Sequence, residues 1–238
     1  MKKFLRSLLC MLLALSMVVC FAACDSEDSG SKKEKKESGD AEAVLKAVYA
    51  EDNAKEFSFD KEKAIFNGFG GEDVDQIYKI LKKSNVKDER EYRKANMVAS
   101  YTRSYGDDYK ISYDLDSTDE MDKDMRNQFR DDLNACGEKL SKAVKNLDED
   151  DIADAMDISE SNAEKFLKAL KSFAETMEDA KVEEGCYLNY DRIIKGSEVD
   201  EDDERTMQTF AAYKVDGCWI SVHIINLLEE YIDMLEDI

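Results

Sequence analysis

The sequence predicts an α+β protein, in which helices pack on a curved antiparallel sheet that ends in a three-stranded meander. Apolar residues recur at helical spacing over most of the chain before residue 181. The chain contains no proline, so its helices can run long. The spacing then changes to alternation in one internal segment and in the C-terminal third. Together these observations indicate helices first and a sheet completed late in the chain.

The helices are predicted from apolar residues three and four positions apart, with glycines as breaks. The third helix is expected to bury a stripe that runs from Tyr92 through Ala95 and Ala99 to Thr102, and Gly106 is its predicted stop. The predicted helices span residues 41–53, 72–84, 88–105, 118 to about 146, 147–156, 159 or 161 to 180, and 227–235.

Four strands are predicted, at residues 109–116, 185–195, 206–215 and 218–225. Asp216-Gly217 is the strongest hairpin signal in the chain, and its two-residue turn pairs Val215 with Cys218. The longer acidic loop at 196–205 is expected to bring Val215 near Cys186. Cys186 and Cys218 then lie on either side of one strand, roughly 10 Å apart. A disulfide needs Cα atoms within about 7 Å, so both are expected to be buried free thiols, as is Cys136.

The first residues resemble a bacterial lipoprotein signal. Basic residues precede an apolar run from Leu8 to Val19, which is too short for the roughly 20 residues of a spanning helix. The sequence Phe21-Ala22-Ala23-Cys24 resembles a lipobox. That resemblance implies cleavage before Cys24, acylation of this cysteine, and a location on the outer face of a Gram-positive plasma membrane. The alternative is an ordinary secretory signal cut after Ala23, with Cys24 incidental.

Residues 25–40 contain no apolar side chain, so they are expected to form a disordered, charged tether. The predicted organisation is therefore a signal peptide at 1–23, a lipidated Cys24 with its tether at 24–40, and a single domain at 41–238. The chain carries 34 basic and 55 acidic residues, a formal net charge of −21. Such acidity excludes nucleic acid as a partner, since nucleic-acid binding depends on neutralising phosphates. It is compatible with a cationic partner or simply with a well-solvated surface.

The sequence YKVDGCWISVHI, at residues 213–224, follows a strand and an acidic loop. This arrangement resembles the end of a nuclear-transport-factor-two-like domain, a cystatin-like cone with helices on a curved sheet. The resemblance implies an N-terminal helix such as 41–53 and an additional strand such as 109–116. The segment YGDDYKISY, at residues 105–113, and the lysine-rich tether are similar to those of uncharacterised lipoproteins of Gram-positive bacteria.

One candidate pocket is expected on the last predicted strand, where Trp219, Ser221 and His223 share a face. Tyr187 and Tyr213 are expected beside them, so that together they form the wall of a cone pocket. The alternative is a half-exposed sheet face with a solvated His223. A lone histidine without a partner set does not make a catalytic triad, so no catalytic residue is assigned.

No cofactor and no metal site is predicted. The acidic clusters at 148–151 and 200–204 do not match the ligand spacing of a calcium loop. The tyrosines at 101, 105, 109 and 113 would form a sugar platform only if they shared an exposed surface.

The first hypothesis is a non-enzymatic binding or interaction module, with an unknown protein or small-molecule partner. The second is a ligand carrier or enzyme that uses the pocket near Trp219 and His223. A solute-binding protein is disfavoured, because the 214 residues after Cys24 are short for two α/β lobes. A closed, dry cavity would favour interaction, and a roomy cavity with convergent polar groups would favour a ligand.

Overall fold

The computed structural model describes residues 39–199 and 204–238. These residues form eight helices packed against four antiparallel strands, so the predicted α+β class is confirmed. The predicted leader, Cys24 and most of the tether lie outside the described residues. In chain order the elements are α1 (Gly39–Asp52), α2 (Phe59–Ala64), α3 (Gly71–Leu81), α4 (Val86–Tyr105), β1 (Lys110–Glu120), α5 (Lys123–Lys145), α6 (Glu149–Met156), α7 (Glu160–Glu178), β2 (Val182–Lys195), β3 (Glu204–Val215), β4 (Cys218–Ser221) and α8 (His223–Glu236).

The sheet is open and has the order β1-β2-β3-β4, with antiparallel pairing throughout. The predicted three-stranded meander is therefore β2-β3-β4. Its tight turn has positive φ angles at both Asp216 (47°) and Gly217 (82°). Two positive φ angles are the requirement of a type I′ turn, which matches the twist of the strands it joins. Val215 pairs with Cys218, as predicted.

The predicted register between β2 and β3 is wrong by three residues on β3. Val215 pairs with Val182, and Cys186 pairs with Ala212. Strand β2 begins at Val182, earlier than its alternation suggests, and the Asp216 N–H donates to the Lys181 carbonyl just before this strand (3.2 Å). The three cysteines are free as predicted, although Cys218 is half-buried rather than buried.

The last strand is shorter than predicted, because β4 ends at Ser221 and α8 begins at His223. The Ser221 hydroxyl accepts a hydrogen bond from the backbone N–H of His223 (3.3 Å), which satisfies a donor at the start of the helix. A short apolar run is ambiguous between strand and helix. Here the apolar run continues at helical spacing, which favours a helix. The buried residues of α8 are Ile224, Ile225, Leu228, Tyr231, Ile232 and Leu235.

The helix predicted at 118–146 begins later than expected. Residues 118–120 belong instead to β1, which continues past a bulge at Asp116 that shifts its pairing with β2. Helix α5 begins only at Lys123, where the Asp122 carboxylate accepts from the Met125 N–H (2.9 Å). Such a cap satisfies one of the unpaired donors of the first turn.

The expected inward stripe of α4 is wrong, because Tyr92 is 60% exposed. The buried residues of this helix are instead Val86, at its first turn, and Lys94, which is 5% exposed. The Lys94 ammonium group donates to the Glu51 carboxylate (2.9 Å) and to the Glu51 carbonyl. A buried lysine requires such partners because an isolated buried charge is costly.

Helices cover both faces of the sheet. On one side, the α1 face, the ring of Tyr49 contacts Tyr113 and Tyr190 at centroid distances of 4.9 and 5.9 Å. On the other side, the α5 face, the ring of Phe129 stacks on Tyr213 at 3.7 Å. Within the described residues, the long apolar stretch that a membrane-crossing helix requires is not found. The core cluster runs from Ala41 to Leu235 along the chain.

Candidate functional site

The four residues of the predicted pocket are divided between the two faces of the sheet. Tyr213 lies on the α5 face and pairs with Gly185, so Tyr187, two residues further along β2, lies on that face too. Ile220 pairs with Tyr213, so Trp219, its neighbour on β4, points to the α1 face. The structure therefore does not bring Tyr187 and Tyr213 together with Trp219 and His223.

Tyr213 is a packing residue. Its ring is 6% exposed and lies nearly parallel to the ring of Phe129, at an interplanar angle of 5°. Burial raises the pKa of Tyr213 to about 12, so its phenol stays protonated at neutral pH. Tyr187 is only half-buried. The two tyrosines stabilise the contact between α5 and the sheet.

Ser221 and His223 form a pair that resembles a nucleophile and its base, with the Ser221 Oγ 3.2 Å from the His223 Nδ1. Ser221, however, is completely buried and unreachable by substrate. The ring of His223 stacks on Phe210 at 5.4 Å. Desolvation by these neighbours lowers the pKa of His223 below 6.5, although part of the residue faces solvent. The pair therefore starts α8 and does not form a catalytic dyad.

A second polar cluster, which the sequence did not indicate, lies on the α1 face where α1 ends. It is built from Tyr49 and Asp52 of α1, Tyr109 before β1, and Arg192 of β2, and it is named here the Asp52 cluster. The Tyr49 and Tyr109 side chains are 6% and 2% exposed. By distance and angle, neither hydroxyl group has a hydrogen-bond partner in the described part of the chain, although the Tyr190 hydroxyl lies close enough to that of Tyr49 to contribute to the raised pKa of Tyr49. Buried polar atoms are rarely left in this state unless water or a ligand satisfies them.

Asp52 adds an unusual carboxylate to this cluster. It is half-buried and makes no hydrogen bond or close ion pair with another described residue. Burial, reinforced by the neighbouring charge of Glu51, raises the pKa of Asp52 to about 6. Lys94 and Arg192 oppose this shift electrostatically. Within the described residues, the Asp52 cluster thus holds a carboxylate acceptor and the Tyr109 hydroxyl donor without hydrogen-bond partners.

Three tyrosines form a stack beside the Asp52 cluster. The ring of Tyr101 lies between those of Tyr105 and Tyr109, at centroid distances of 5.8 and 5.3 Å. The Lys55 Nζ lies 2.9 Å from the ring centre of Tyr109, and the Arg192 guanidinium donates to the Tyr101 hydroxyl (2.9 Å). Because these rings cover one another, they do not present the shared exposed surface of a sugar platform.

A third polar cluster joins four helices and is fully satisfied. Glu62 of α2 is 6% exposed and accepts hydrogen bonds from the hydroxyls of Tyr231 (2.6 Å) and Tyr78 (3.1 Å). Arg90 lies 3.9 Å from Glu62 and forms a 2.6 Å ion pair with Glu230. Burial raises the pKa of Glu62, while Arg90 and both tyrosines oppose the shift. Such a network ties α2, α3, α4 and α8 together.

The helical layer contains an apolar cavity of only about 20 Å³. This volume would hold about one water molecule, and an apolar lining keeps such a space dry. The cavity is closed by side chains that include Phe66, Leu140, Phe173 and Tyr231. A shallow surface groove of about 370 Å³ lies elsewhere, between the start of α4, the end of α6 and the C-terminus. The central cavity is thus too small for an organic ligand.

Part of the α5 face is uncovered, and it is named here the open sheet face. It comprises Asp114, Asp191 and Met207, which are paired across β1, β2 and β3, together with Asn189 and Asp119 on the same face. Met207 is 82% exposed and pairs with Asp191, which also pairs with Asp114. The Asn189 amide donates to the Asp119 carboxylate (2.7 Å). This surface combines an exposed apolar side chain with two adjacent carboxylates.

Over the residues that the structure describes, no three histidine, cysteine, aspartate or glutamate side chains are grouped so that they could hold a metal ion. No protein-family model, curated protein or solved structure matches the chain.

Proposed function

We propose that the protein is an extracytoplasmic lipoprotein, held to the membrane through a lipid on Cys24, whose domain at 41–238 is a non-enzymatic interaction module for a protein partner. The proposal includes the likeness to nuclear-transport-factor-two-like domains, which rests on the hairpin and its flanking strand. The open sheet face is the observation that supports an interaction role most directly.

The open sheet face carries a local electrostatic cost. Asp114 and Asp191 lie directly opposite each other on neighbouring strands, an arrangement that destabilises a sheet by up to about 1 kcal/mol. Arg205, at 3.8 Å from Asp191, offsets part of this repulsion. A cationic partner that covers Met207 would neutralise the remaining charge and bury an apolar side chain.

Membrane attachment is tested by replacing the proposed lipid site. Cys24→Ala should release the protein into the medium, because it removes the thiol to which the proposed lipid is attached. Cys20→Ala is the matched control, since it removes a cysteine of the leader but leaves Cys24, and it should remain in the membrane fraction. Retention of the Cys24→Ala protein at the level of the control would contradict the proposed anchor.

A second candidate function is supported by a separate observation. The Asp52 cluster contains two buried hydroxyl groups, those of Tyr49 and Tyr109, and a carboxylate without a partner. A small polar ligand could satisfy all three, which would make the protein a ligand carrier or an enzyme. This location differs from the pocket expected near Trp219 and His223, which stays a prediction.

Native mass spectrometry separates the two functions. The chain is produced from Asp25 onward, without the leader, and retains the whole core cluster between Ala41 and Leu235. An interaction module should give the mass of the bare chain. A reproducible additional mass that denaturation removes would favour the carrier, and its loss in a Tyr109→Phe variant would locate the ligand at the Asp52 cluster.

A further inference from the structure

One edge of the sheet has no neighbouring strand in the described part of the chain. Strand β1 pairs only with β2, so its other side presents backbone groups that could bond to an additional strand. In an antiparallel pair, alternate residues direct their N–H and C=O groups away from the partner. Ile111 is one of these residues, since both of its backbone groups bond outside the sheet. The backbone N–H and C=O groups of Tyr113 and Leu115 therefore also face away from β2.

The side chain of Asn53 shows that this edge accepts a strand-like partner. Its Oδ1 accepts from the Ile111 N–H (2.7 Å), and its Nδ2 donates to the Ile111 carbonyl. A neighbouring strand would make the same two bonds. Asn53 occupies only the first outward position, however, and the side chains of Tyr113 and Leu115 beyond it are only half-buried.

The charges of β1 determine which occupant fits. Asp114, Asp116 and Glu120 are exposed along the strand, and Asp119 is half-buried. Two copies paired antiparallel about Asp114 or Leu115 would set an aspartate opposite an aspartate, which is unfavourable. A strand with basic side chains would instead face opposite charges at the same positions. The edge therefore disfavours self-association and favours a cationic partner.

We propose that the edge of β1 from Tyr113 to the bulge at Asp116 binds an extended, lysine- or arginine-rich segment of another protein as an added strand. Because Asp114 points to the α5 face while Tyr113 and Leu115 point to the α1 face, the segment alternates basic with apolar residues. Main-chain hydrogen bonds supply the affinity, and the alternating side chains supply the specificity. This inference rests on the proposed interaction function and names its partner class.

The probe is a capped peptide of alternating lysine and valine, added to the isotope-labelled chain from Asp25 onward. Binding should slow hydrogen exchange at the amides of Tyr113 and Leu115 and leave the amides of β4 unchanged. The charge reversal Asp114→Lys with Asp116→Lys should weaken binding about tenfold or more, since two attractive contacts become repulsive. The matched control, Glu164→Lys with Glu175→Lys on the exposed side of α7, changes the net charge equally and should bind as the unmodified chain does.

A second peptide of the same charge, with proline in place of the central valine, tests the backbone bonds. It should bind at least about tenfold more weakly, because proline removes a donor from the added strand. Equal binding of both peptides, equal weakening by both double variants, or no binding at about 1 mM peptide would overturn the strand-addition proposal. None of these results would affect the interaction function itself, which fails only if native mass spectrometry shows a bound small ligand.

Discussion

Two carboxylates of the helical layer, Glu62 and Asp52, are both withdrawn from water, yet their surroundings differ. Glu62 accepts hydrogen bonds from two tyrosine hydroxyls and lies near Arg90, so groups on several helices stabilise its charge. Among the described residues, Asp52 has no hydrogen-bond partner, and the Tyr109 hydroxyl in its cluster likewise lacks one. A satisfied polar group is part of the scaffold, whereas unsatisfied groups mark a place where solvent or a ligand completes the structure.

Removing Glu62 should have the largest effect on stability. Glu62→Ala leaves two buried hydroxyls without an acceptor and weakens the compensation of Arg90, so we expect a loss of about 3 kcal/mol of unfolding free energy. Chemical denaturation measures this loss. Asp75→Ala is the control, because it breaks an exposed ion pair with Lys63 and should cost less than about 1 kcal/mol. A similar cost for both variants would remove the distinction between the two carboxylates.

The tyrosines of the two clusters should respond differently to loss of their hydroxyls. Tyr231→Phe removes a 2.6 Å hydrogen bond to Glu62 and should cost about 2 kcal/mol. Tyr109→Phe removes a hydroxyl that has no partner in the described structure, so unfolding free energy should stay within about 0.5 kcal/mol or rise. A cost above about 1 kcal/mol for Tyr109→Phe would show that water or a ligand already satisfies that group.

The charge of Asp52 should appear as a pH dependence of stability. Its pKa rises from 3.8 to about 6 on folding, so the folded state binds the proton more tightly. The stabilisation that protonated Asp52 contributes to the folded state is present at low pH and is lost as pH rises from about 4 through about 6. Asp52→Asn should therefore gain about 1–2 kcal/mol relative to the unmodified chain between pH 4 and pH 7. If the difference in unfolding free energy between the variant and the unmodified chain does not change with pH, Asp52 is better solvated or better paired than the structure indicates.

The sequence predicted the elements whose signals are local. The helix predicted from 159 or 161 to 180 and the Asp216-Gly217 turn each depend on residues within a few positions of one another, and both were correct. The end of β4 was missed because an apolar run fits a strand and a helix equally well. The exposed Tyr92 was missed because apolar spacing does not show which side of a helix has a neighbour.

The Asp52 cluster could not be predicted, since its members are brought together by long-range contacts. Tyr49 and Asp52 are three residues apart on α1, but Arg192 comes 140 residues after Asp52 and reaches it only through the register of β2. Periodicity predicts the helix at 41–53 that carries Tyr49, and this residue is buried. It does not reveal that the hydroxyl of this tyrosine ends beside other unpaired groups.

The position of β1 in the chain also affects how the protein folds. Among the described strands it pairs with β2 alone, and β2 follows after three helices, so this pairing closes a long loop and forms late. When the chain is made from its N-terminus, β1 emerges with both edges bare until residues 182–195 follow. Unpaired strands are aggregation-prone during folding, and charges within them suppress wrong pairing. The aspartates of β1 would thus protect the nascent chain before the sheet exists.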